Sequence, residues 1–320
     1  MQAAAVIPVY NRAELLGSLL ATLHAQTVPF ARIIVVDNAS TDDAGDVARA
    51  AGCQVIRLAR NTGFAHAVNI GCREASEPWV AILNSDVELD PRWLELLLGA
   101  VSAGPAFAAG TIFDAARRTV IDGTYDLVSR AGCAWRVGHG ETSPLPAAPV
   151  AIHSAPGTAC LFRRTVLESL GGYDESFGSY LEDVDLGLRC VAHGLAGVFV
   201  PNALAWHHGS ASLGRWHPEV VRLLSRNQLL LLARHYDRAL FRRWLWPIVV
   251  GQLLWGLVAL RHGAFAAWYR GKRDAVAAFN LQGHPSARFS EFLAASEAEI
   301  RRRSRDSYWR WYFRLVRAAH

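Results

Sequence analysis

Ile33-Ile34-Val35-Val36-Asp37-Asn38-Ala39-Ser40-Thr41-Asp42 is an apolar run that stops on an acid and passes into turn residues, with the amphipathic stretch Asp43 to Ala51 behind it. A run of this kind predicts a strand buried on both faces and followed by a helix. The same pattern recurs on either side: Ala4 to Val9 precedes Ala13 to Ala25, Val55 to Leu58 precedes Phe64 to Ala75, and Trp79 to Asn84 precedes Pro91 to Val101. Strands alternating with helices predict a parallel α/β sheet. In open sheets of this kind ligands bind beyond the carboxyl ends of the strands. The residues that end these runs, Tyr10-Asn11, Asp37-Asn38, Arg60-Asn61 and Ser85-Asp86, are therefore expected to converge on one crevice.

The chain has 320 residues, of which 52% are hydrophobic, enough for one large core or two domains and too many for a mostly disordered protein. Its five cysteines are odd in number and scattered, with no C-x-x-C pair, which argues against a disulfide framework or a zinc knuckle and fits a reducing compartment. Pro8 interrupts the N-terminal apolar run, which reads as a first strand rather than a signal peptide. Neither G-x-G-x-x-G nor a P-loop pattern occurs. The net charge of +5 hides a split: residues 1–214 carry 14 Arg against 21 acids, whereas 215–320 carry 18 Arg and Lys272 against 7. The sequence thus predicts a mildly acidic domain over 1–214 and a basic, apolar helical region over 215–320.

Two acidic clusters carry the candidate chemistry: Leu83-Asn84-Ser85-Asp86-Val87-Glu88, and Glu182-Asp183-Val184-Asp185 with Trp206-His207-His208 after it. Asp86 with Glu88 offers carboxylates to a Mg²⁺ or Mn²⁺ ion, which prefers one or two of them plus substrate phosphate oxygens. A strand-ending Asp is the plainer alternative. Asp183, Glu182 and Asp185 compete for the role of general base, although three acids also suit the first turn of a helix, expected from Glu182 to His193. Asp185 is placed to pair with Arg189 at i+4, leaving Asp183 less committed. His207 and His208, after a short strand Gly197 to Val200, are either metal ligands or surface histidines. Asp37 ends its strand where it can accept the N3–H of uracil or thymine while the Pro8-Val9-Tyr10-Asn11 backbone meets the base edge; the alternative is a turn-forming Asp. Between Gly138 and Gly157, Pro, Gly, Ser and His predict a long mobile loop.

Taken together, the chain resembles family 2 of the glycosyltransferases, most closely its bacterial rhamnosyltransferase-like branch. The segments that carry the resemblance are Val6 to Arg12, Ile34 to Asp42, Arg60-Asn61-Thr62-Gly63-Phe64-Ala65 with Asn69, Leu83 to Asp86, Gly171 to Glu175, Glu182 to Arg189 and His207-His208-Gly209, in order over the first 215 residues or so. The resemblance implies a GT-A fold, a UDP- or dTDP-sugar donor, a divalent metal (Mn²⁺ or Mg²⁺) and inversion at the anomeric carbon. It makes Asp37 the base contact and Asn38, Arg60, Asn61, Gly63 and Asn69 neighbours of the nucleotide. It makes Asn84-Ser85-Asp86 the D-x-D element, with an amide where the first carboxylate would stand. It assigns Asp86 and His207 to the metal and Asp183 to the acceptor proton.

Trp244 to Leu260 is a 17-residue run without a charge. At about 1.5 Å per residue it spans about 25 Å, short of a hydrocarbon core. Six of the eleven tryptophans lie between Trp244 and Trp311. Basic, Trp-rich helices predict contact with an anionic membrane surface, with a buried core helix as the alternative. Arginines interleaved with apolar runs argue against nucleic acid. A sugar nucleotidyltransferase would need a Gly-rich, cationic loop after the first strand, and Val6 to Glu14 has no Gly or Lys. A glycosidase lacks support from secretion or sugar-stacking signals. The expected setting is cytoplasmic, at the inner face of the plasma membrane, with a glycan or lipid-linked acceptor and the oligomeric state open.

Overall fold

The computed structural model describes residues 1–142, 148–209, 216–277, 279–285 and 287–317. In chain order the first half forms β1 (Ala3–Val9), α1 (Ala13–His24), β2 (Arg32–Asp37), α2 (Ala44–Ala50), β3 (Gln54–Arg57), α3 (Phe64–Glu74), β4 (Trp79–Leu83), β5 (Val87–Leu89), α4 (Trp93–Val101), β6 (Phe107–Asp114) and β7 (Ile121–Gly123). There follow β8 (Asp126–Val128), β9 (Ala134–Arg136), β10 (Val150–Ile152), β11 (Ala159–Arg163), α5 (Arg164–Leu170), α6 (Glu182–Ala192) and β12 (Gly197–His207). Six helices complete the chain: α7 (Pro218–His235), α8 (Arg238–Arg243), α9 (Leu245–Arg261), α10 (Phe265–Ala277), α11 (Ala287–Arg303) and α12 (Ser307–Arg317).

The chain divides into two compact units, one of Met1–Tyr125, Arg136–Cys190 and Gly194–Gly209, the other of Asp126–Trp135, Val191–His193 and Ser210–His320. In the first unit the main sheet runs β10-β12-β6-β11-β4-β1-β2-β3. The strands at the β4-β1-β2-β3 end are parallel, as the alternating pattern predicts, and β11 lies antiparallel between β4 and β6. β1 is buried throughout, which explains why it reads as continuous apolar sequence. Leu16, Leu19, Leu20 and Leu23 of α1 and Trp93, Leu94 and Leu97 of α4 pack in one core with β1 and β4. Each such burial contributes about 1.5–3 kcal/mol, which fixes the sheet as the platform for the site.

Three expectations change. β12 does not stop at Val200: the strand bulges between Val200 and Leu204 and resumes to His207. Pro201 and Asn202 read as a strand end, yet here they lie in a bulge, which tolerates a missing donor. Val87–Leu89, not expected as a strand, forms β5 on β12. Within the expected loop Gly138 to Gly157, Val150–Ile152 pairs with β12, while residues 143–147 lie outside the described residues.

In the second unit, Ala131, Cys133, Val250, Ile300, Trp309, Tyr312 and Val316 form one core. Arg130 Nε donates to Glu297 Oε2 at 2.7 Å, and Tyr312 Oη donates to the other oxygen at 2.6 Å, so the buried carboxylate is satisfied. α9 buries Pro247, Ile248, Val250, Gly251, Gln252, Gly256 and Ala259. No helix of the described residues is long and apolar enough to cross a membrane.

Candidate active site

The parallel ends of β1, β2 and β3 bring the first set of candidates together. Asp37, fully buried, takes the amide of Ser40 on Oδ1 at 2.7 Å. Its Oδ2 lies 3.2 Å from Arg57 Nη1 but accepts no hydrogen bond, leaving a buried acceptor that awaits a donor. Asn11 and Arg12 turn out of β1 with φ of 60° and 76°, and Ala39 follows β2 at 66°. Left-handed non-glycine residues store strain that clusters at functional sites. Asn11 donates its N–H to Ser40 Oγ at 2.9 Å and accepts the Thr41 amide on its side-chain oxygen at 2.9 Å. Pro8 and Val9 remain in the strand, while Tyr10 stands exposed.

Asn38 is a clamp. Its Nδ2 donates to Asn61 Oδ1 at 3.1 Å and Gly63 O at 3.2 Å, and its Oδ1 accepts from the Thr62 amide at 2.9 Å. Gly63, at φ 87°, lies where a Cβ would stand 3.3 Å from Gly178 O, so the loop packs on the segment that leads into α6. Asn69 spends its amide on the Tyr173 backbone, at 2.8 Å in both directions, and on Glu175 at 3.0 Å. Arg60 and the body of Asn61 face solvent.

Strand register places the metal candidates. β12 pairs with β5 so that His207 lies opposite Val87, and the His208 amide donates to Asp86 O at 2.9 Å. His207 Nε2 lies 3.2 Å from Asp86 Oδ1, while its Nδ1–H is held by Asp122 Oδ2 at 2.8 Å. Burial works against a charged ring, but the hydrogen bonds to Asp122 and Asp86 outweigh it and raise the His207 pKa to about 9. Burial likewise opposes ionisation of Asp86 and Asp122, and the His207 bond holds both below the usual carboxylate range. His208 instead meets Glu88 at 3.0 Å, and Arg118 meets Glu88 at 2.7 Å, so that pair is separately committed. Asn84 Oδ1 is buried and accepts no hydrogen bond. Ser85 lies half-buried between Asn84 and Asp86.

No group of three or more His, Cys, Asp or Glu among the described residues is arranged to hold a metal unaided. The pair Asp86 and His207 nonetheless fits one. Neighbouring ligands on an octahedral ion at about 2.1 Å sit about 3 Å apart, close to the 3.2 Å seen here. An ion so held takes its remaining ligands from phosphate and water. Asp122 sits where a carboxylate behind a metal-bound histidine fixes the tautomer.

The third group opens α6. Tyr180 and Leu181 both have positive φ, 71° and 68°, and this reversal delivers Glu182, Asp183 and Asp185 into the first turn. Asp185 pairs with Arg189 at 2.7 Å, as the i+4 spacing predicts. Glu182 is buried, and burial reinforced by Asp183 pushes its pKa well above the usual range toward the neutral acid. Asp183 accepts from the Gly157 amide on Oδ2 at 2.9 Å and from the Val184 amide on Oδ1 at 2.8 Å, with Arg136 Nη2 at 3.9 Å. The two amides and Arg136 favour the ionised carboxylate, the form that can accept a proton.

Asp122 and Arg136 were not legible in the sequence. Both come from short strands between residues 105 and 160, and Gly123 is the one available signal: a Cβ there would sit 2.2 Å from Arg136 Cδ.

A family model for glycosyl transferase family 2 matches residues 4–171. N-acetylglucosaminyl-diphospho-decaprenol L-rhamnosyltransferase of Mycobacterium tuberculosis (strain CDC 1551 / Oshkosh) is 30% identical over 245 residues, covering 66% of this chain and 78% of that protein. Among solved structures, GalNAc-T7 with UDP, GalNAc and Mn2+ matches with a TM-score of 0.63 at 15% identity, over 88% of this chain and 58% of its own. S. aureus TarS 1-349 in complex with UDP-GlcNAc matches at 0.55 and 16% identity, over 100% of this chain and 93% of its own. The structural likenesses speak to the fold, which is GT-A, and with the family match they lead to one conclusion: the chain belongs to glycosyl transferase family 2 and is a glycosyltransferase.

Proposed function

We propose that the enzyme is an inverting, metal-dependent glycosyltransferase that moves a rhamnose-like or hexose sugar from a UDP- or dTDP-sugar to a hydroxyl of a glycan or lipid-linked glycan in cell-envelope polysaccharide synthesis. The mycobacterial relative is named for L-rhamnose transfer to a diphospho-decaprenol acceptor, which supports the sugar and acceptor classes. The catalytic domain is 1–214, and the helices of 215–320 hold the enzyme at an anionic membrane surface on the cytoplasmic side.

The observation that carries the reading is the division of labour among the acids: Asp185 is paired with Arg189, Glu182 is driven toward its neutral form, and Asp183 is aimed by two backbone amides. Asp183 takes the acceptor hydroxyl proton as that oxygen bonds to the anomeric carbon and the bond to the diphosphate breaks on the opposite face. Asp37 Oδ2 accepts the N3–H of the pyrimidine, while Asn38 and Asn61 shape the loop beside it. Asn69 is a positioning residue that anchors the Tyr173 to Glu175 segment. Asp86 and His207 would hold the divalent ion, whose chemistry is to offset charge on the leaving diphosphate. Arg136 lies beside Asp183 and limits the charge that the carboxylates accumulate.

A thermal-shift panel of nucleotide sugars with and without Mn²⁺ or Mg²⁺ tests this reading. Stabilisation by a uridine or thymidine diphosphate sugar that requires the ion is expected. No stabilisation, or one that ignores both base and ion, contradicts it.

A further inference from the structure

α11 and α12 of the second unit flank a cavity of about 370 Å³, open to solvent and lined by the exposed Arg301, Arg310, Arg314 and Arg317 with Trp309 and Phe313. The neighbouring Arg302 and Arg303 share Glu299 as an ion-pair partner. The four lining arginines have no ion pair among the described residues. Concentrating like charges in one concavity is unfavourable unless an anion offsets it, and guanidinium forks match phosphate oxygens.

The surface beside the cavity limits what that anion can be. At 100° per residue α12 divides into three strips: Trp309, Tyr312 and Val316 are buried, Arg310, Arg314 and Arg317 line the cavity, and Trp311 and Leu315 stand exposed. Trp246 Nε1 donates to Leu315 O at 3.1 Å, joining this apolar strip to α9. There Trp246, Val249, Leu253, Leu257 and Leu260 form an exposed stripe at helical spacing, about 21 Å long. A soluble anion has no use for such a stripe, and a nucleic acid offers it no partner. Both parts fit a lipid, with phosphate on arginine and hydrocarbon on leucine.

We propose that this cavity binds the phosphate of an anionic phospholipid headgroup while the α9 stripe with Trp311 and Leu315 enters the adjoining acyl region. The site rests on the membrane-surface reading above and gives it a specific contact. The test is vesicle flotation of full-length protein with phosphatidylcholine alone and with phosphatidylcholine containing phosphatidylglycerol. Four proteins are compared: wild type, R310Q/R314Q/R317Q, a control with the same charge loss (R238Q/R273Q/R288Q), and L253S/L257S. All these positions are on the surface, and circular dichroism checks the fold.

Wild type should prefer the phosphatidylglycerol vesicles, and the cavity variant should lose affinity for them by about tenfold or more. The control should lose less than about threefold, and the stripe variant should weaken binding to both vesicle types. Equal losses in cavity and control variants overturn the site in favour of diffuse charge. So does inorganic phosphate that raises the melting temperature as much as the vesicles do, or a duplex oligonucleotide that displaces them. A cavity variant that binds like wild type while the stripe variant fails overturns the site and leaves the membrane reading standing. Wild type that ignores both vesicle types overturns both.

Discussion

The first unit exposes few large hydrophobic side chains among its described residues, Met1, Tyr10 and Tyr180, and the last two belong to the loops that build the site. The second exposes eleven, six of them on α9. Charges follow the opposite rule. The first unit draws Asp37, Glu182, Asp183 and Asp185 inside and gives each a particular neighbour, while the second leaves most of its arginines on the surface. A buried, individually oriented charge suits chemistry at one atom, whereas exposed cations beside exposed leucine suit partition onto a surface. Catalysis and attachment should therefore be separable by mutation.

The sharpest separation is expected from Asp183→Asn, which should lower kcat by about 10²–10⁴-fold while leaving donor binding and vesicle flotation unchanged. Near-normal turnover would remove Asp183 from the base role. Asp185→Asn should act on stability instead, because it removes the charge that the Arg189 guanidinium pairs with. Arg189 keeps some solvent contact, so a loss of about 2–4 kcal/mol in urea unfolding is expected, at the lower end for a broken buried pair. Asp122→Asn should weaken Mn²⁺ affinity by about 10–100-fold, because the His207 ring loses the carboxylate behind it. An unchanged affinity, read by titration, would show that His207 does not act through Asp122.

The smallest effect comes from an exception in the second unit. Lys272 is half-buried, its Nζ donating to Ser225 O at 2.7 Å and Gln228 Oε1 at 3.1 Å and also to Gln252, and desolvation lowers its pKa to about 7. The unfolded chain then binds the extra proton between about pH 7 and 10.5, so stability rises with pH across that window. The contribution approaches about 1.4 kcal/mol per pH unit. Urea midpoints at pH 7 and 9 should show this increment in wild type and not in Lys272→Met.

Much of the first unit was legible because buried parallel strands are long apolar runs and their helices are amphipathic. β1 to α4 follow the expected pattern apart from β5. Between residues 105 and 160 the strands β7 to β10 have three residues each, too few to show a period, and β10 pairs with β12, far away in sequence. Asp122 was lost with them. Asp37, Asp86, Asp183 and His207 were legible as candidates because they end strands or begin a helix. What spacing does not report is who pays for each charge: that Asn38 and Asn69 are clamps, that His208 goes to Glu88, and that Asn84 keeps a buried unbonded oxygen all depend on side-chain partners.

The central claim is that Asp86 and His207 hold the ion on the donor while Asp183 serves only the acceptor. Electron paramagnetic resonance of Mn²⁺ with UDP tests it most directly, in wild type, Asp86→Asn, His207→Ala and Asp183→Asn. Wild type and Asp183→Asn should bind the ion alike, and the other two at least about tenfold more weakly. Loss of the ion in Asp183→Asn, or undiminished binding in both Asp86→Asn and His207→Ala, would contradict the account.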